Sequence, residues 1–388
     1  MSDWREPWLR AGERVTDQYG RHVGEPADAL PTPALIVDVD ALQRNIDVLM
    51  KALEGQPARS RPHTKVQKSP DIALTQVAAG AIGVTVAQVW EAAAMAAAGV
   101  ADVLIANQVI PADKVAAAAA LAGHIDLTLA VDDPGNIDAL SAAAAKAGTQ
   151  IGALVELDVG MDRCGARSAE EALRLAERVH AAPGLQLKGV QAYEGHCMSV
   201  PDRAKRVRMA TEAMDQAAAA LELMRAAGLP AGTLSGGGTG TYDITGRHPA
   251  VTELQAGSYA FGDAFHTRLT TDFEISLTVA STVVARHGDR VILDAGRKSI
   301  GIDYVLPPML GQDYVAKFYA EEHAQFDVDA RFEARVGDRV QLVSGYAPTT
   351  VNLYDVIFAV SGGQVVNVWP VFPRGPGHAG FLTSLQRG

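Results

Sequence analysis

The residues best suited to chemistry in this chain stand at the ends of short apolar runs. Lys65 closes the run Arg61-Pro62-His63-Thr64-Lys65. A lysine held away from water has a lowered pKa and becomes a nucleophilic amine. Most lysines are instead solvated in loops, and Lys68, in the loop or helix that follows, competes for the role. Two small-residue turns, Ser235-Gly236-Gly237-Gly238-Thr239-Gly240-Thr241 and Gly257-Ser258-Tyr259, could bring backbone N–H groups and hydroxyls close to a phosphate. Plain flexible turns are the alternative, and the spacing is not the dinucleotide pattern G-x-G-x-x-G. Arg163, in Asp158-Val159-Gly160-Met161-Asp162-Arg163-Cys164-Gly165, could bind a carboxylate, a phenolate oxygen or a ring nitrogen, or simply pair with Asp162. Tyr193 could stack, donate a hydrogen bond or only pack. His196 is a candidate acid or base, with a satisfied structural histidine as the plainer reading. Glu321-Glu322-His323 is a weak metal signal, because adjacent residues on a strand point to opposite faces.

These residues need a scaffold that gathers strand ends. Eight apolar runs begin near Arg61, Ile82, Asp102, Asp126, Ile151, Leu185, Thr233 and Glu253, each followed by a helix-like stretch. That alternation predicts an α/β chain with a (β/α)8 TIM-type barrel. Barrel chemistry sits at the carboxyl ends of the strands, with phosphate sites after strands seven and eight, where the two small-residue turns fall. Ahead of the barrel rhythm, Thr32 to Asp38 reads as a strand, and Asp40 is expected to cap a helix carrying Leu42, Ile46 and Leu49. The longest helix is expected over Pro201 to Ala227. After about Thr267 the periodicity changes to two, in Glu274 to Val279, Arg290 to Leu293, Arg331 to Leu342 and Asp355 to Val360. This predicts a C-terminal antiparallel β domain. The expected domains are a barrel over 32–266 and a β domain over 267–388, with the arm 1–31 packing on the latter.

The chain has 388 residues, 48% of them hydrophobic, and a net charge of −11. No basic stripe offers itself to nucleic acid. No apolar stretch approaches a membrane span, and Met1 to Arg21 has no apolar signal core. The two cysteines, Cys164 and Cys197, suggest no disulfide framework, so a cytoplasmic location is expected. A lysine that traps aldehydes beside a phosphate cradle fits pyridoxal 5′-phosphate. It also fits a class I aldolase acting on a sugar phosphate, an analogy at the level of fold.

Several stretches together resemble the fold-type III pyridoxal-phosphate enzymes, the alanine racemase barrel group. They are Arg61 to Lys65, Val155 to Gly165, Gly189 to Tyr193, Ser235 to Thr241, Thr252 to Tyr259 and Asp294-Ala295-Gly296. Within that group the chain is similar to the D-threonine aldolase, 3-hydroxy-D-aspartate aldolase and D-serine dehydratase branch. The resemblance implies that Lys65 binds the cofactor's aldehyde and that Arg163 and Tyr193 line it. It implies that Gly238, Thr239, Gly240, Thr241, Gly257, Ser258 and Tyr259 hold the phosphate. It also implies a head-to-tail homodimer, the β domain of one subunit closing the barrel mouth of the other.

The chain departs from the branch at three places. A Gly-His-Cys-Asp-Pro-Thr stretch usually supplies ligands to a divalent metal; here it reads Gly345-Tyr346-Ala347-Pro348-Thr349-Thr350. Tyr346 and Pro348 occupy the ligand positions, and neither is a ligand for zinc, manganese or magnesium. The usual Lys-Thr-His-Lys is Lys65-Val66-Gln67-Lys68, and the histidine usually found after Ala-Tyr-x-Gly is displaced to His196. The expected function is therefore a pyridoxal-phosphate lyase that cleaves a D-3-hydroxy amino acid to glycine and an aldehyde without the metal. Tyr346 would stand in its place, assisted by His63, His196 or His323. Elimination of water, racemisation and a non-enzymatic role in pyridoxal-phosphate homeostasis are the alternatives.

Overall fold

The computed structural model describes residues 3–375, together with 382 and 385. The other residues assigned to the arm and the β domain, 1–2, 376–381, 383–384 and 386–388, lie outside the described residues. The first strand, β1 (Ala34–Asp38), is followed by the barrel strands β2 (Arg59–Ser60), β3 (Val84–Val86), β4 (Asp102–Ile105), β5 (Asp126–Val131), β6 (Ile151–Glu156), β7 (Leu185–Ala192), β8 (Thr233–Gly236) and β9 (Glu253–Leu254). The last six begin at the residues expected from the apolar runs. All eight are parallel, in the order β2-β9-β8-β7-β6-β5-β4-β3. Backbone bonds from Ile82 N–H to Ser60 and from Thr85 N–H to Pro62 join the two ends of that order. β2 is short because Pro62 has no N–H to give to a ladder. The chain nevertheless runs on beside its neighbours, Arg61 N–H donating to Leu254 and Thr64 N–H to Thr85.

The second sheet contains β10 (Leu277–His287), β11 (Arg290–Leu293), β12 (Ala316–Tyr319), β13 (Ala324–Asp327), β14 (Arg339–Val343), β15 (Val356–Ser361) and β16 (Gln364–Pro370). Its order is β12-β13-β11-β10-β1-β15-β16, with β14 also on β10. β1 thus belongs to this sheet, antiparallel to β10 and parallel to β15, rather than to a barrel beginning at residue 32. Its alternation explains the placement. Leu35 and Val37 enter the large core, while Ala34 and Ile36 join a smaller cluster with Ala280, Phe358 and Val368, so both faces are buried. The arm lies along the same sheet: Gly24 N–H donates to Val365 and Ala27 N–H to Gly363.

Three local expectations need correction. The cap of helix Val39–Leu53 is Asp38, whose carboxylate accepts from Asp40 N–H at 3.0 Å and Ala41 N–H at 2.9 Å; Asp40 instead accepts from Ser361. The strand expected over Arg331 to Leu342 forms only as β14, because the Arg286 guanidinium takes the carbonyls of Phe332 and Ala334 out of any ladder. The long helix runs Arg203–Ala226, capped by Asp202 rather than starting at Pro201.

Candidate active site

Past β2, Arg61 lines the lower end of the barrel, while His63 and Lys65, the latter in the turn over residues 64–67, line the cavity at its mouth. At the bottom Arg61 donates to Asp102 at 2.6 Å and to Glu253 at 3.0 Å, a largely buried network that closes that end. His63 comes next, buried, its ring nitrogen held well below the usual imidazole range by desolvation first and by Lys65 second. Lys65 reaches the mouth. Burial, reinforced by the Arg163 charge and opposed by Glu91, lowers its amine to about 8. Lys68 makes an ion pair with Glu91 at 2.6 Å and so lies apart from this role.

Lys65 faces a cavity of about 210 Å³ whose walls also include His63, Asn107, Arg163, Tyr193 and Gln255. Arg163 and Lys65 each lie 5.9 Å from the centroid of the Tyr193 ring. Arg163 does not pair with Asp162, which accepts from Arg167 at 2.9 Å; its nearest acid is buried Glu156 at 3.7 Å. Burial raises the pKa of Glu156 against the opposing pull of Gln108 and Arg163.

The two small-residue turns meet this cavity through Gly237, Gly238, Thr239, Gly257 and Ser258. Thr239 and Ser258 each open a short 3-10 turn, and their N–H groups have no hydrogen-bond partner among the described residues. Gly257 is required sterically: a Cβ there would sit 2.5 Å from the His63 carbonyl oxygen. Three expected phosphate contacts lie behind the wall instead. Gly240 is buried outside the lining, and the Thr241 hydroxyl donates to Glu194 at 2.6 Å. Tyr259 turns its hydroxyl to Gln76, leaving only its N–H, on Thr239, near the turn. Glu194, to which the sequence reading assigned no role, is fully buried and also accepts from Gly237 N–H and Thr245, so it shapes the first turn.

His196 and His323 do not reach the cavity. His196 packs against Gly160, where a Cβ would lie 2.9 Å from its ring, and among the described residues its buried Nδ1 has no partner. His323 is exposed between β12 and β13. Tyr346 does line the cavity, and burial, with Tyr304 and Asp263 adding, pushes its hydroxyl up to about 12. Beside it stands His266, which the sequence reading overlooked, its ring stacked 6.0 Å from that of Tyr346. Buried Asp263 accepts from His266 N–H at 2.7 Å, meets His266 Nδ1 at 2.8 Å and accepts from Ala347 N–H at 3.0 Å. The signal was present as Asp263-Ala264-Phe265-His266, a three-residue spacing that folds acid and imidazole onto one side of a turn.

The donor set suits pyridoxal phosphate: a poised amine, an arginine, an aromatic ring and unpartnered N–H groups at two adjacent turns. It does not suit the divalent metal expected of the branch. Pro348 offers no donor and opens helix Ala347–Val351, and both Asp263 oxygens already serve N–H groups.

A barrel with a lysine at its mouth, joined to a mostly antiparallel β domain, defines the alanine racemase-like class of enzymes. The chain belongs to the family described as alanine racemase, N-terminal domain, whose model matches residues 37–264; a putative serine dehydratase domain matches 276–360. The family is pyridoxal-phosphate dependent. The chain is 36% identical over 386 residues to a 3-hydroxy-D-aspartate aldolase of Paracoccus denitrificans (strain Pd 1222), covering 94% of this chain and 99% of that one. It is 28% identical over 369 residues to a D-threo-3-hydroxyaspartate dehydratase of Delftia sp. (strain HT23), covering 88% and 97%. The crystal structure of D-threonine aldolase from Filomicrobium marinum matches with a TM-score of 0.88 at 35% identity, covering 91% of this chain and 98% of that one.

Proposed function

We propose that this protein is a pyridoxal-phosphate-dependent lyase that cleaves the Cα–Cβ bond of a D-3-hydroxy amino acid, releasing glycine and an aldehyde. The observation that carries the reading is Lys65, a lysine with a lowered pKa at the mouth of the barrel, facing two turns with free N–H groups. The similarity to aldolases of such amino acids supports the choice of reaction. Pyridoxal phosphate, when bound, supplies an aldehyde for amine capture and an electron sink for the charge left at Cα.

The remaining work falls to the chain's own residues. Lys65 offers a free amine, and below its pKa of about 8 it can return a proton. Thr239 and Ser258 N–H groups would hold the phosphate, with Glu194 bracing the first turn from behind. Arg163 and Tyr193, both on the cavity wall, would line the cofactor. Tyr346 and His266 form the wall left for the substrate's side chain. No divalent metal is held at Tyr346 and Pro348. A second reading, elimination of water to a keto acid and ammonia, is favoured by the serine dehydratase match over residues 276–360. We further place the protein in the cytoplasm, consistent with its two free cysteines, as a homodimer in which a partner closes the mouth.

Proton NMR of the purified protein with D-threonine, D-serine and 3-hydroxy-D-aspartate in heavy water tests both readings. Glycine and an aldehyde, in amounts unchanged by a chelator, are expected. Ammonia and a keto acid would select elimination. Loss of only the α-proton signal would overturn both, and chelator inhibition reversed by added metal would overturn the metal-free mechanism.

A further inference from the structure

Of the imidazoles on the cavity wall, His266 is built differently from His63. Its Nδ1 lies 2.8 Å from Asp263, a carboxylate with no exposure, which fixes the ring and its tautomer. Its Nε2 has no hydrogen-bond partner among the described residues, yet is not among the buried unpartnered atoms, so it is the ring edge open to the cavity. An imidazole oriented through Nδ1 by a carboxylate, with Nε2 free, is the arrangement of a general base. His63 has no such carboxylate and sits under Lys65, where burial and the lysine's charge weaken it as a proton acceptor. Tyr346 packs flat on His266 and, with its hydroxyl pushed up to about 12, stays protonated at neutral pH, fit to donate but not to accept.

We infer that His266, held by Asp263, is the catalytic base that takes the proton from the substrate's β-hydroxyl in place of the metal that Tyr346 and Pro348 cannot bind. The inference rests on the lyase reading above. As Nε2 takes the hydroxyl proton, the O–H pair becomes the second bond of the aldehyde carbonyl. The Cα–Cβ bond breaks with its pair left at Cα, and Cα then takes a proton to give glycine. No oxidant or reductant enters. Asp263 is a positioning residue with two duties: it aims His266, and through Ala347 N–H it ties the backbone beside Tyr346 to the barrel.

The test uses the intact protein loaded with pyridoxal phosphate, comparing wild type with His266→Asn and His266→Ala. The bound cofactor's absorbance and its change on adding glycine, an amino acid with no β-hydroxyl, report whether the site is intact. Expected is an unchanged absorbance and glycine response, with cleavage of the best 3-hydroxy substrate reduced at least about a hundredfold, the usual scale of general-base catalysis. Imidazole added to His266→Ala should restore part of that cleavage. Equal loss of glycine response and cleavage would make His266 structural and overturn the inference, and so would undiminished cleavage in both variants. Failure of the underlying reading shows separately, because wild type itself would then leave every 3-hydroxy substrate uncleaved.

Discussion

At the scale of single residues, Lys65 shows how environment turns an ordinary side chain into a reagent. Its amine is lowered to about 8 by burial first and by Arg163 second, while Glu91 pulls the other way. Replacing Arg163 with methionine removes a cationic neighbour and must raise the lysine's pKa. The sign follows directly: a pKa one higher leaves about tenfold less free amine at pH 7. In the Arg163→Met apoprotein the midpoint pH for capture of added pyridoxal phosphate should therefore move upward, as read from the rate of absorbance change across pH 6 to 10. An unmoved midpoint would mean that burial alone sets the amine. Residue type and strand-end position made Lys65 and the glycine turns legible in the sequence, because each carries unusual chemistry for its place, whereas Arg163 and Tyr193 stayed open until the family resemblance assigned them to the cofactor. His266 was not legible in the same way. It falls just past the eighth strand, where the alternation ends, and its meaning depends on Asp263 and on Tyr346, eighty residues further along the chain. Thr241 and Tyr259 failed for the opposite reason: their types suit a phosphate, but Glu194 and Gln76 lie nearer to them.

At the scale of elements, legibility tracked burial pattern. Strands β4 to β9 begin at the expected residues because each is an apolar run between helices, and nothing competes with that reading. The strand β1 was equally visible as a strand, but an apolar run buried on both faces carries no mark of which sheet it joins. The pairing of β1 with β10 and β15 is a long-range fact, set by which apolar faces were left uncovered. The first barrel segment is the element on which the site depends most, since Pro62 interrupts its ladder and Gly257 packs directly on it. Gly257 does not have a positive φ, and the obstacle to a side chain there is steric: an added Cβ meets the His63 carbonyl at 2.5 Å and Val66 at 2.8 Å. Gly257→Ala should push residues 63 to 66 aside and carry Lys65 with them. We expect a loss of about 1–3 kcal/mol in stability, typical of overpacking, and a weaker hold on the cofactor. Thermal unfolding of the apoprotein and absorbance titration with pyridoxal phosphate measure the two effects. Native-like values in both would show that the segment yields without disturbing the site.

At the scale of the whole molecule, the two sheets are not a barrel with an appendage. The chain begins in the second sheet with β1, leaves to build the barrel, and returns through Asp263 and His266, so the active-site wall is formed where the two units join. Ala264 N–H donates to the Ser344 carbonyl and the Asp263 carboxylate accepts from Ala347 N–H, and these bonds hold Tyr346 over the cavity. Beyond Tyr346 lies Tyr304, 71% exposed, held in a left-handed backbone conformation (φ 62°) with its ring 5.1 Å from that of Tyr346. A large aromatic left in water beside an open active site is what the proposed partner subunit would cover, and covering it would also dry the cavity in which His266 works. Tyr304→Asp would place a charge in that contact while leaving the groups assigned to cofactor and proton transfer in place. Sedimentation velocity at micromolar concentration should then show wild type as a dimer and the variant shifted toward monomer. Cleavage activity per subunit should fall in the variant and recover as its concentration is raised. A monomeric wild type, or a monomeric variant with full activity at every concentration, would remove the second subunit from the account of the site.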